Sequence, residues 1–368
     1  MKLQTQIFLE TNGIEALTSE LGIKVSHDED TGLVIFNYDQ IESPKTHPVV
    51  RECRGLILEN NSWNFVARSF PRFFNWGEVI DEMKNFNFNE FVIDSKEDGS
   101  LCIIYYYNGN WHANTRGSFG KDHMQFQNFT WREAFIKALN VNSFNDLNNI
   151  LDERLTYVCE FVSPWNKIVR KYDKPSMYLL TIFNGINELS WKEIDDEELR
   201  IKEHKLLFVR PNRYYFSSID EIKLFLQSLE SKDPTNEGVV IRDKDNRRWK
   251  IKSPTYLSLH RLRGEGNMYD PKNIIPFVLS GEADELLTYF PEIEDGFRKI
   301  ESEIKESYIT LNSLWNSTKH ITDQKEFALA IMNKTPFTGI LFQIRKSGEK
   351  LDSVWRNSGD KILKFLYK

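Results

Sequence analysis

The segment Lys96-Glu97-Asp98-Gly99-Ser100 places a primary amine beside two carboxylates, a glycine and a hydroxyl, on an expected tight bend between two strands. A lysine amine is a nucleophile only without its proton, and its ordinary pKa is about 10.4. A site that uses it must favour the free amine through nearby cations or desolvation. Gly99 permits the sharp turn that would present the side chain at a pocket mouth. The plain alternative is a surface turn, since these are common turn residues.

Other positions fit the same chemistry. Glu160 lies in a strand reading Cys159-Glu160-Phe161-Val162, on the face opposite the apolar residues, where solvent is the simpler neighbour. Glu237 opens the buried-type strand Gly238-Val239-Val240-Ile241. In Trp249-Lys250-Ile251-Lys252, period-2 alternation puts Lys250 and Lys252 on one face. Two lysines side by side repel unless an anion sits between them, and a polyphosphate would neutralise them. Upstream, Arg54 precedes Gly55, a pairing suited to close phosphate contact, and Arg72 precedes Phe73-Phe74-Asn75. A structural ion pair is the alternative for Arg54, and an exposed strand position for the glutamates and lysines.

Positioning these groups requires a strand-rich frame. Phe91 to Ser95, Leu101 to Tyr107 and Trp111 to Arg116 read as strands, the last two joined by the turn Asn108-Gly109. Arg154 to Val162 alternates, with Leu155, Tyr157, Cys159 and Phe161 on one face. Tyr178 to Phe183 is a buried-type strand. Gly238 to Arg242 and Arg247 to Ile251 form a hairpin across Asp243 to Asn246. Thr130 to Leu139 and Ile219 to Leu229 suit helices, and the acidic stretch Glu193 to Glu203 reads as a solvated surface segment. The pattern is α+β with largely antiparallel pairing. Beyond about Leu259 helical spacing takes over. Short helices fit Asn273 to Leu279, Ala283 to Tyr289, Lys325 to Met332 and Lys361 to Leu366. A longer one carries Ile293, Phe297, Ile300, Ile304, Leu311 and Leu314. The expected domains are residues 1–259 and an all-helical 260–368.

Composition narrows the function classes. The 368 residues, 40% apolar, suit two domains with a sizeable core. A net charge of −6 excludes a protein that coats nucleic acid through overall charge, so any such contact must use a local basic site. Three widely spaced cysteines, Cys53, Cys102 and Cys159, make neither a disulfide framework nor a zinc motif. Met1 to Glu10 lacks a signal peptide's apolar region, and no apolar run approaches a membrane span. The expectation is a cytoplasmic protein (in the host cell, if phage-encoded) with no membrane association and no obligate protein partner.

Taken in order, the motifs resemble those of the covalent nucleotidyltransferases, and among them the bacteriophage T4 RNA ligase 1 family. Glu52-Cys53-Arg54-Gly55 resembles that family's early arginine segment, and Lys96 to Ser100 its nucleophile motif. Residues Glu160 to Val169 resemble its E-F-V-x-P-x-N-x-I-V segment. Glu237-Gly238-Val239-Val240 resembles its E-G-x-V motif, Lys250-Ile251-Lys252-Ser253 its K-I-K-S motif, and Tyr256 a tyrosine that follows. The resemblance covers most of residues 30–265. One departure stands out: the family commonly has lysine before F-F-N, where this chain has Arg72, a planar fork in place of a point charge.

The resemblance implies a nucleotidyltransferase domain with antiparallel sheets, an ATP-grasp-like ligase core, followed by the helical domain. It implies an ATP-dependent RNA ligase that joins 5′-phosphate and 3′-hydroxyl ends through lysyl-AMP on Lys96 and an RNA-adenylate, the expected substrates being broken tRNA anticodon loops. Lys250 and Lys252 would stabilise charge on the α-phosphate. Arg54 and Arg72 would hold outer or RNA phosphates, and Tyr38 would line the nucleotide pocket. Glu160 and Glu237 would contact ribose or a hydrated metal, Mg²⁺ or alternatively Mn²⁺. Tyr256 would serve ligation. Gly281-Glu282-Ala283-Asp284 resembles a segment whose aspartate lies near a metal through water. The rival readings are a DNA ligase or capping-type nucleotidyltransferase, and a non-catalytic RNA-binding protein. The first of these carries a β-barrel after the lysine pair, so a β-rich tail would favour it.

Overall fold

The computed structural model describes residues 2–84, 86, 90–124, 127–166, 170–202, 208–230, 232–233, 235–253, 270–284, 287 and 293–367. The chain divides into two compact units, Met1–Tyr256 and Leu257–Lys368. The expected Ala283 to Tyr289 helix falls largely outside the described residues, as does Tyr256.

The first unit is mixed α/β with mostly antiparallel sheets. Its strands are β1 (Ile23–Asp28), β2 (Leu33–Tyr38), β3 (Arg54–Glu59), β4 (Phe65–Ala67), β5 (Phe74–Asn75), β6 (Phe91–Ser95), β7 (Ser100–Tyr107) and β8 (Asn110–Thr115). They continue as β9 (Leu155–Val162), β10 (Ser176–Asn184), β11 (Asn187–Glu188), β12 (Phe208–Val209), β13 (Arg213–Tyr214), β14 (Gly238–Asp243) and β15 (Arg248–Lys252). Three sheets result, in the orders β1-β2-β3-β4, β11-β10-β9-β7-β8 with β12 beside β10, and β13-β6-β14-β15-β5.

Alternating apolar residues stack these sheets in layers. On one face of β9, Tyr157, Cys159 and Phe161 pack against Ala134, Phe135, Ala138 and Leu139 of the helix Trp131–Leu139. That helix is opened by Thr130, whose hydroxyl accepts from the Glu133 backbone N–H in a capping box. On the other face, Val158, Leu101 and Ile103 pack against Leu33, Ile35 and Ile57 of the first sheet. The far side of the first sheet is covered by Leu9, Leu17 and Leu21 of the helix Gln4–Leu21, an element the sequence reading did not anticipate. The third sheet buries Ile93, Val239, Ile241 and Ile251 under Ile222 and Leu226 of the helix Ile219–Glu230.

One expectation needs correction. The acidic stretch from Glu193 is not a bare surface segment but most of a helix, Trp191–Lys202. Ile194 and Ile201 are buried, so two apolar anchors at helical spacing outweigh its acidic composition.

In the second unit every described regular element is a helix. Glu294–Thr318 buries Phe297, Ile300, Ile304, Tyr308, Leu311 and Leu314 along one stripe, the 3.6-residue period carried through about five turns. Pro271–Ser280, Gln324–Ile331, Thr338–Ser347, Leu351–Arg356 and Gly359–Leu366 accompany it. No described helix is long and apolar enough to cross a membrane.

Candidate active site

Lys96 lies where the chain leaves β6 of the third sheet and crosses to β7 of the second. Register explains its neighbours. Ser95 pairs with Val239 across β6 and β14, and Gly238 pairs with Lys252 across β14 and β15. The Lys96 backbone N–H donates to the Gly238 carbonyl at 2.9 Å, and the Ser253 N–H to the Glu237 carbonyl at 3.0 Å. Three strand ends therefore meet, and their side chains touch. Lys96 Nζ is 2.6 Å from Glu237 Oε1, and Lys252 Nζ is 3.0 Å from the same oxygen. Burial would raise the Glu237 carboxyl, but Lys96 and Lys252 outweigh it and hold its pKa below the usual value. Its other oxygen, Oε2, is buried with no hydrogen-bond partner.

Two glycines make this approach possible. At Gly238, with φ of +134°, a Cβ would lie 2.1 Å from the Ile251 carbonyl oxygen. At Gly99 a Cβ would lie 2.3 Å from the Phe161 carbonyl oxygen. Gly99 is thus needed for close packing against β9, at the bend that leads into β7, and its φ lies outside the left-handed region.

Glu160 also departs from expectation. Its face of β9, shared with Val158, turns toward the first sheet, where Val158 packs with Leu33, Ile35 and Ile57. Burial raises its pKa to about 7, aided by Glu237 and Asp98 and opposed by Lys96 and Arg54. A carboxyl raised in this way favours its neutral form in the fold, so it costs stability as pH rises through about 7. Glu160→Gln removes that titration. The thermal midpoint of this variant, relative to the parent, should climb between about pH 4.5 and about pH 7 and level off above that. A constant difference across that range, read by circular dichroism, would contradict the assignment.

The cationic side is assembled from separate strands. Arg54 opens β3; burial lowers its pKa, and its Nη1 is buried without a partner. Arg72 Nη1 is likewise buried and unpartnered, while its guanidinium lies 4.7 Å from the Phe74 ring centroid and 5.7 Å from that of Tyr38. Lys250 extends toward Phe73, 5.9 Å from its ring centroid. Burial alone would raise the Tyr38 hydroxyl, yet Arg116, Arg54, Arg72 and Lys250 pull its pKa down to about 7. So dense a cluster of cations is stable only beside anions. Arg116 was missed in the sequence. It donates to Tyr38 Oη at 3.4 Å, and its backbone presses on Gly55. The available signal was Thr115-Arg116-Gly117-Ser118, an arginine before a glycine at a strand end, as in Arg54-Gly55.

A cavity of about 110 Å³ opens beside Lys96, lined also by Arg54, Phe70, Glu160, Val240 and Arg242. Arg242 is buried, with Nε and Nη2 unpartnered. Burial first, and then Arg248, lower its pKa to about 10. Unpaired guanidinium atoms around an enclosed space fit an anionic ligand. Glu160 and the free oxygen of Glu237 fit a cation held partly by that ligand. Among the described residues no three His, Cys, Asp or Glu side chains gather to hold a metal alone. A divalent ion would therefore need phosphate oxygens to complete its shell, as Mg²⁺ commonly does. Asp284 lies in the second unit, paired with Arg298 at 2.8 Å.

The turn itself is braced by a residue outside every motif. Tyr172 donates to Glu97 Oε2 at 2.9 Å and accepts from the Asp98 N–H at 3.1 Å. Ser95 Oγ donates to Glu97 Oε1 at 2.7 Å, so both oxygens of the buried Glu97 are engaged. Tyr172→Phe strands the Asp98 N–H, a cost of about 1–3 kcal/mol. We expect a lowered melting temperature and, through misplacement of Lys96, roughly 10-fold slower reaction at that amine. An unchanged rate in single-turnover kinetics would show that the turn holds its shape without Tyr172.

Comparison with known proteins finds RNA ligases. A family model described as RNA ligase matches residues 52–256. A protein of Autographa californica nuclear polyhedrosis virus, described as a bifunctional polynucleotide kinase/RNA ligase, is 32% identical over 308 residues. That match covers 79% of this chain but 42% of the viral protein, so the chain spans less than half of that relative's length. An RNA ligase of Rhodothermus phage RM378 is 24% identical over 342 residues, covering 76% of this chain and 78% of its own. Among solved structures, an archaeal ATP-dependent RNA ligase superposes with a TM-score of 0.45 at 14% identity, covering 83% of this chain and 82% of that one. The family match contains the crossover lysine, both glutamates and the strand-borne lysine pair, and it extends over more than half of the sequence: the chain belongs to the RNA ligase family.

Proposed function

We propose that the protein is an ATP-dependent RNA ligase that seals 5′-phosphate and 3′-hydroxyl ends, with broken tRNA anticodon loops as its substrates. The observation that carries this reading is the contact of Lys96 with Glu237 and Lys252 beside a cavity rich in unpartnered guanidinium atoms. The Lys96 amine, having lost its proton, attacks the α-phosphorus of ATP. An N–P bond forms, the bond to the bridging oxygen breaks, and pyrophosphate leaves. A 5′-phosphate oxygen of RNA then takes the AMP and frees the amine. Attack by a 3′-hydroxyl on the activated phosphate completes the seal and releases AMP.

Each side chain has a place in this scheme. Lys250 and Lys252 stabilise charge building on the α-phosphate. Arg54 and Arg72 hold the outer phosphates or the RNA phosphate, Arg116 joins them beside Tyr38, and Tyr38 walls the nucleotide. Glu160 and Glu237 contact ribose or the water shell of Mg²⁺, which when bound neutralises phosphate charge. Tyr256 serves ligation, and Asp284 is assigned to a metal through water. The domain at residues 260–368 selects the RNA. Its described elements are helices, whereas DNA ligases and capping enzymes carry a β-barrel after the lysine pair, which favours RNA over the alternatives.

The experiment is incubation with α-labelled ATP and magnesium, followed by denaturing electrophoresis. Acid-labile label on the chain, chased by 5′-phosphorylated RNA into a ligated product, is the expected result. Absence of label would refute the reading, and faster sealing of nicked DNA than of nicked RNA would turn it toward a DNA ligase.

A further inference from the structure

A second concave pocket, of about 350 Å³, adjoins the Lys96 cavity and shares Phe73 and Arg248 with it. Its wall includes Arg51, Arg68, Arg72, Phe183 and Asn187. Some of this charge is already answered. Arg51 pairs with Glu82, and Arg248 grips Glu188 through both terminal nitrogens. Two guanidiniums differ. Arg68 is 6% exposed, and its Nε donates to the Ser69 carbonyl at 3.2 Å. No described carboxylate pairs with it within salt-bridge distance, and burial lowers its pKa. Arg72 leaves Nη1 buried and unpartnered, with Glu78 at 3.9 Å as its carboxylate neighbour. A buried guanidinium without an anion is costly, so the pocket is built for one.

The shared chemistry is a phosphate, which either ATP or RNA brings. The lining favours RNA. A triphosphate tail is charge throughout, yet this pocket also offers Phe73, Phe183 and Ile186 as an apolar surface and Asn187 and Asn246 as amides. Asn246 Oδ1 is buried without a partner. Aromatic surface, amides and a phosphate-binding arginine together suit one nucleotide of a single strand. The volume falls in the range of small-ligand pockets, roughly 300–1,000 Å³.

We propose that this pocket binds a nucleotide of the RNA next to the reacting end, its phosphate held by Arg68 and Arg72. The inference rests on the RNA ligase reading and names where the RNA strand is gripped.

The test compares Arg68→Gln and Asn187→Asp with the parent chain. Asn187 is exposed, so the second variant carries a repelling charge into the pocket without disturbing the core. Filter binding of a 5′-phosphorylated single-stranded RNA should show about 10-fold weaker binding in each variant. For Arg68→Gln the salt dependence should flatten by about 0.7 in log–log slope, one phosphate contact on a single strand. Labelling by α-labelled ATP should stay within about twofold of the parent. Unchanged RNA affinity in Asn187→Asp and in folded Arg68→Gln would overturn the proposal, as would labelling that falls in step with RNA affinity, which would place the ATP tail in the pocket. If Arg68→Gln fails to fold by circular dichroism, Asn187→Asp alone decides. Failure of the parent to label would instead sink the ligase reading, while filter binding would still report on the pocket.

Discussion

Lys96→Ala should abolish covalent labelling by α-labelled ATP and all sealing that starts from ATP, a loss on the order of 10⁴-fold or more. The amine is the atom that bonds to phosphorus in the proposed scheme, and nothing else described in the cavity replaces it. Lys252 is a neighbouring amine, but it is buried and already shares Glu237 Oε1 at 3.0 Å. Lys96→Arg should be equally inactive, because a guanidinium keeps its charge and its proton at any working pH. That variant preserves the ion pair with Glu237, so it separates chemistry from structure. Lys96→Ala takes the partner at 2.6 Å from the buried Glu237, so it should also melt lower, whereas Lys96→Arg should melt near the parent. The variants should still seal an RNA that already carries AMP at its 5′ end, since the later step does not need the lysine nucleophile. Label persisting in Lys96→Ala would move the nucleophile elsewhere.

Lys250→Ala and Lys252→Ala should each slow AMP transfer by about 10²–10³-fold, the usual worth of one preorganised charge at a reacting centre. Their structural consequences should differ. Lys252 is buried against Glu237, and removing one partner from a buried charged group typically costs about 3–5 kcal/mol. Lys96 remains beside Glu237 and offsets part of that cost. Lys252→Ala should therefore melt visibly lower. Lys250 is partly exposed and sits by the Phe73 ring, so Lys250→Ala should melt close to the parent. Single-turnover formation of lysyl-AMP, with melting curves alongside, reads both effects. Near-parental rates in both variants would mean that the lysine pair is a solvated strand face.

Much of this site was legible along the chain because its chemistry is carried by contiguous runs. Lys96 to Ser100, Glu237 to Val240 and Lys250 to Ser253 each sit at a strand end, and strand periodicity is a local property that a sequence exposes directly. The same holds for the hairpin of β14 and β15, for the Asn108-Gly109 turn, where both residues have positive φ, and for the long helix of the second unit. The first sheet and the helix Gln4–Leu21 escaped notice. That helix contains Gly13 in a non-helical conformation, which breaks its apolar periodicity, and it is held by packing on the first sheet. Arg116 and Tyr172 escaped for a different reason. Each acts on a residue 74 or more positions away, as the spacings of their hydrogen bonds to Tyr38, Asp98 and Glu97 show, and no local pattern encodes a contact of that span.

By itself, then, the sequence determined which groups are available for chemistry and which strand or turn carries each, because residue type and alternation are written locally. It did not determine that β6 and β7, neighbours along the chain, belong to different sheets, so that the lysine between them bridges two layers. Nor did it determine the environment of Glu160. Alternation marked its face as the less apolar one, and solvent was the simpler expectation. The first sheet, with Leu33, Ile35 and Ile57 packed on Val158, Leu101 and Ile103 of that face, covers it instead, and the carboxyl is pushed up to about 7. Desolvation and charge proximity depend on every element packed around a group, and only the tertiary structure brings those elements together.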